Sequence, residues 1–131
     1  MTFEKWLTEW SGEIEQSQAF TKSELPTTPV EIQVDLSRTT RDYPRMAELL
    51  ADVEQHLIQS RAQAVLSAKQ AYGDLSAAER KIMADSMVSH IARTRDILKA
   101  TVSALHERSY ALMNHRNYCK EELRLSGQSE T

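Results

Sequence analysis

The sequence predicts an all-α fold: a long antiparallel helical hairpin, preceded by a short N-terminal amphipathic helix and an extended linker, in a chain expected to oligomerise. Three observations carry that prediction. Only three Gly and three Pro occur in 131 residues, fewer than the turns of a sandwich, barrel or Rossmann domain demand. These breakers leave two uninterrupted windows, about 29 residues between Pro44 and Gly73 and about 53 between Gly73 and Gly127. In the second window Ala84, Ile91, Leu98, Leu105, Leu112 and Cys119 recur every seven residues, a heptad seam.

Residues 1–19 form the first element. Phe3, Trp6, Leu7, Trp10 and Ile14 share one face of a short helix, and Gly12 is expected to weaken or end it. Both tryptophans lie on that stripe. Core packing is the plain explanation; Phe3, Trp6 and Trp10 as a docking face for a partner is the sharper one.

Residues 20–41 read as an extended linker, because Pro26 and Pro29 sit among Thr, Ser and Lys. Within it Val30, Ile32, Val34 and Leu36 alternate with Glu31, Gln33 and Asp35, a short strand signal over 30–36. The hairpin spans 42–126. Asp42 and Pro44 offer a cap and a first-turn proline for its first helix, and Ser76 with Glu79 forms a capping box for its second. Gly73 suits the left-handed position after a helix end. Residues 127–131 are a flexible tail.

The seam is narrow. Thr94, Thr101, Arg108 and Ser109 dilute the positions beside Ile91, Leu98, Leu105 and Leu112. A lone hairpin would bury little, so these four residues are expected to pack against further helices, in other copies of the chain. The alternative is a monomeric three-helix bundle in which the N-terminal helix covers the seam.

Charge is uneven. Residues 1–40 carry three basic and seven acidic side chains, whereas residues 80–120 carry eight basic and three acidic, within a chain of net charge −3. An acidic arm thus precedes a basic helix. A solvated helix face is the ordinary account of such a run. Contact with a nucleic-acid backbone is the functional one, through Arg61, Lys69, Arg80, Lys81, Arg93 and Arg95, repeated around an oligomer. Tyr72, Tyr110 and Tyr118 would add base stacking, the alternative for Tyr110 and Tyr118 being packing against neighbouring helices.

No enzymatic motif emerges, and the chain is expected to be a non-enzyme without cofactor or metal. The residues three before His56, His90, His106 and His115 are not acidic, so no di-metal Glu-x-x-His pair exists. Asp52 and His56 share a helix face, but two ligands are too few. The single Cys119 excludes an intrachain disulfide framework and reads as a small seam residue. No run of 18 apolar residues would span a membrane, and Glu4, Lys5 and Glu9 do not fit a secretory signal, so a cytoplasmic location is expected.

The second helix resembles a known family. It has Val102 and Leu105, then Arg108-Ser109-Tyr110-Ala111-Leu112-Met113-Asn114, then Tyr118 and Lys120. In the first helix Leu66-Ser67-Ala68-Lys69-Gln70-Ala71-Tyr72 runs into Gly73. Both segments, over roughly residues 34–123, resemble UvsY, the recombination mediator of tailed phages. The resemblance sets Lys69 where the family has a DNA-contacting basic residue; Ser67 stands where it has another, a departure. It implies a ring-forming oligomer that binds single-stranded DNA and helps a RecA-type recombinase replace a single-strand-binding protein, in the host cytoplasm if phage-encoded. Two other readings remain open: a helical adaptor or inhibitor of a host complex that binds no nucleic acid, and a ring-forming phage structural or packaging component.

Overall fold

A computed structural model describes residues 1–71 and 73–129, with side chains as far as residue 127. Those residues form four helices: α1 (Phe3–Lys22), α2 (Pro29–Ala71), α3 (Ala77–Met87) and α4 (Ser89–Ser129). At about 1.5 Å per residue, α2 and α4 are each roughly 60 Å long.

Helix α1 opens on Thr2, whose hydroxyl accepts from the Lys5 amide at 3.3 Å, and closes on Ser23, which donates to the Phe20 carbonyl. Gly12 does not interrupt it. A Cβ there would meet nothing within 4 Å, so the glycine is neither a bend nor a close approach. The helix therefore runs to Lys22 instead of 19.

The linker is correspondingly short, and the strand signal over 30–36 is overturned. Helix α2 starts at Pro29, thirteen residues before the expected 42. Thr28 caps it, accepting the Glu31 amide on its hydroxyl at 3.4 Å and the Ile32 amide on its carbonyl at 2.9 Å. Pro29 fits the first helical position because its missing N–H would lack a partner there anyway. The alternating pattern divides between two helix faces: Ile32 and Leu36, four apart, are buried, while Val30 and Val34 are exposed. Pro44 lies inside the helix, not at its start. It is exposed, as is Thr40, whose carbonyl Pro44 leaves without a helical donor, so solvent can take that oxygen. Asp42, expected as a cap, is buried and accepts a hydrogen bond from Ser17 at 3.0 Å.

The second long window is interrupted once. Val88, at φ −105° and ψ 12°, separates α3 from α4. Its side chain is buried, so the irregular residue is anchored by packing. Ser76 caps α3, accepting the Glu79 amide at 3.2 Å and donating its hydroxyl to Glu79 Oε1 at 3.1 Å. No glycine among the described residues has positive φ, so Gly73 is not the left-handed cap.

Cross-helix partners fix the directions. Trp6 faces Asp52, Glu13 faces Arg45 and Ser17 faces Asp42, so α1 runs opposite to α2. Arg61 pairs with Asp85 and Asp35 with Arg108, so α3 and α4 also run opposite to α2. Helix α1 lies along one side of the α2–α4 pair, from Phe3 beside His90 to Phe20 beneath Arg108. The main core joins Phe3, Trp6, Ile14 and Phe20 to Met46, Leu49, Val53, Leu57, Ala84, Ile91, Leu98 and Leu105. A smaller cluster at the far end holds Ile32, Leu36 and Leu112, with Cys119 packed on it.

Ile91, Leu98, Leu105 and Leu112 are thus covered within one chain, each at most 2% exposed. Phe3 and Trp6 are core residues at 5% and 4% exposure, which removes them as an open docking face. Trp10 is half-buried, with the Arg45 guanidinium 4.3 Å over its ring. No helix among the described residues is long and apolar enough to cross a membrane.

Candidate nucleic-acid interface

The six cations expected to contact a strand do not form one patch. Arg61 reaches from α2 to α3 and sets its Nε 3.0 Å from Asp85 Oδ1. Lys69 stands exposed in the last turn of α2, with exposed Lys81 and half-buried Arg80 on α3 beyond the turn. These residues belong to a two-helix stem of α2 and α3, which the amino end of α1 borders only across a groove. Arg93 and Arg95 sit further along, on α4. Two positions apart on a helix, they point about 200° away from each other and cannot share a face. Arg95 is held by its neighbour Asp96 at 3.0 Å. Tyr72 lies outside the described residues.

A different grouping appears on α4. Arg95, Lys99, His106, Tyr110, Asn117, Lys120 and Arg124 follow one another at spacings of three, four and seven, so they line one stripe. Apart from half-buried Arg95, every member is exposed. The stripe lies away from the α1 side of the helix, which carries His90 and Arg108. Three carboxylates stand next to its members in sequence: Asp96 holds Arg95, Glu121 holds Arg124, and exposed Glu107 follows His106. The Glu121 hydrogen bond also raises the Arg124 pKa, so that cation stays charged.

One residue of α2 joins the stripe. The Tyr43 ring lies 6.0 Å from His106, and His106 lies 5.6 Å from Tyr110 at an angle of 65°. Tyr43 is 40% and Tyr110 64% exposed, so this aromatic ladder is open to solvent. Tyr118, the other candidate for stacking, is on a different face of α4. Its hydroxyl is hydrogen-bonded to Glu122, whose carboxylate raises the phenol pKa.

The helical spacing of Lys99, His106, Tyr110, Lys120 and Arg124 is readable from the sequence; Tyr110 is among the residues expected to stack, whereas Lys99, Lys120 and Arg124 are not among the six cations expected to contact a strand, and His106 is considered only as a metal ligand. The place of Tyr43 was not readable, because it depends on the register of α2 against α4.

An open groove of about 1370 Å³ lies at the amino end of α1. Met1, Phe3, Leu66 and Met87 wall it, with His56 and His90. Both imidazoles stand edge-on to the Phe3 ring, at 5.9 and 5.5 Å. No cluster of three or more His, Cys, Asp or Glu residues fit to hold a metal occurs among the described residues.

Compared with protein-family models, with curated proteins and with solved structures, the chain matches none.

Proposed function

We propose that this chain is a non-enzymatic accessory protein that binds single-stranded DNA and assists the loading of a RecA-type recombinase against a single-strand-binding protein. The observation that carries the reading is the α4 stripe, where Lys99 and Lys120 stand exposed on the same face as Tyr110. Phosphates neutralise such cations with release of counterions, and neighbouring rings accept bases. The resemblance of residues 34–123 to the UvsY family supplies the recombination role. Self-association, which that role implies, would use surfaces other than the seam, because α1 and α2 already cover it within one chain. Several weak stripes held in one assembly would then bind one strand together.

A gel shift with single-stranded oligonucleotides over a salt series tests binding. Retardation at low salt that fades as salt rises is expected. Lys99→Glu with Lys120→Glu should weaken it at least tenfold, roughly the effect of losing two phosphate contacts and adding repulsion. Absence of any shift at low salt overturns the reading. Solution mass with and without the oligonucleotide reads the assembly. Faster recombinase loading on strands coated with single-strand-binding protein reads the mediator step.

A second reading, a helical protein-interaction module, is favoured by the two-helix stem. Leu66, Ile82 and Met87 are each more than half exposed there. Capture of one defined partner that is lost on Leu66→Asp with Met87→Asp, in a protein indifferent to DNA, would favour it over the first.

A further inference from the structure

We propose that Tyr43, His106 and Tyr110 form a stacking platform for unpaired bases, which makes the chain prefer single strands to duplex; this rests on the nucleic-acid reading above and assigns the residues that meet the bases. The three rings touch in series across two helices, at 6.0 and 5.6 Å. Ring contact of this kind usually serves packing, and packing covers the rings it uses. Here Tyr110 keeps 64% of its surface open and Tyr43 keeps 40%, while His106 is exposed between them. Broad ring faces are thus presented to solvent on a surface that α1 leaves bare.

The surroundings fit a strand. Along the stripe, Lys99 lies one heptad before His106, about 10 Å away, and Lys120 lies about 15 Å past Tyr110. Between those two lysines α4 carries one carboxylate, Glu107, a step of about 100° around the helix from His106. Cations flanking a group of rings let phosphates and bases of one extended strand be bound in the same track. A duplex hides its base faces in its own stack, so it would gain from the lysines and not from the rings.

The test compares three fluorescein-labelled probes by anisotropy: an oligothymidylate, an abasic oligomer of equal length, and a duplex. The wild-type chain should bind the oligothymidylate at least about fivefold more tightly than the abasic oligomer, the effect of stacking one or two bases. Tyr43→Ala with Tyr110→Ala should abolish that difference and leave abasic binding unchanged. Tyr43→Phe with Tyr110→Phe keeps the rings and should preserve it. Circular dichroism of each variant checks the fold independently. Equal binding of oligothymidylate and abasic oligomer by the wild type overturns the platform and leaves the DNA-binding reading standing, as does a base-dependent difference that survives the alanine pair. Failure of the wild type to bind any probe overturns both.

Discussion

The two sides of the α2–α4 pair are built from the same two helices and are opposite in chemistry. On the α1 side, polar groups are closed on one another. Asp42 takes the Ser17 hydroxyl, and Arg108 donates to both oxygens of Asp35 at 2.8 and 2.7 Å and to the carbonyls of Ser23 and Glu24. Phe20 is flanked by the guanidinium groups of Arg38 and Arg108, at 4.3 and 4.4 Å. On the other side, rings and lysines face water. The difference teaches that α1 decides which side of the helix pair is closed by ring and polar contacts. Arginines on the covered side are structural, so counting cations along the sequence overstates the charge free for a ligand.

Substitutions can break or sharpen that contrast. The largest loss is expected from Arg108→Ala, which strands the mostly buried Asp35: about 3–5 kcal/mol in urea unfolding. Leu98→Ala, fully buried in the seam, should cost about 2–5 kcal/mol by the same measurement. Phe3→Ala tests the covered side at its amino end. A core role predicts about 3–5 kcal/mol at full packing, reduced here because His90 on its flank is exposed, and a loss below about 1 kcal/mol would count against that core role. Gly12→Ala should stabilise by about 0.5–1 kcal/mol, since the site is helical and open. On the bare side, Lys99→Glu should change stability by less than about 0.5 kcal/mol, seen as an unmoved melting curve.

The helical class and the seam were legible because seven-residue spacing and scarce breakers leave few alternatives. The capping residues Ser76 and Glu79 were legible for the same local reason. The first turns of α2 were misread. Val30 to Leu36 satisfies a two-residue and a four-residue period at once, and Thr28-Pro29, which reads locally as linker, is a helix start. Pro44 was read as a boundary, yet long packing on both sides of it carries the helix through. The break at Val88 leaves no local mark, since valine is ordinary in a helix. In the candidate interface, the partner of Arg61 was not legible, because Asp85 comes from another helix, whereas the partner of Arg95, Asp96, stands next to it in sequence.

The grip of Arg108 on the Ser23 and Glu24 carbonyls fastens the corner between α1 and α2 to the middle of α4. Helix α1 is therefore pinned at its carboxyl end by a buried guanidinium and held at its amino end by ring packing, a long Trp6–Asp52 hydrogen bond and the exposed Glu4–His90 pair. Any transient opening should peel from Met1 inward, so amide exchange along α1 would slow steadily toward Lys22. A molecule hinged this way can loosen its cover without letting go of it.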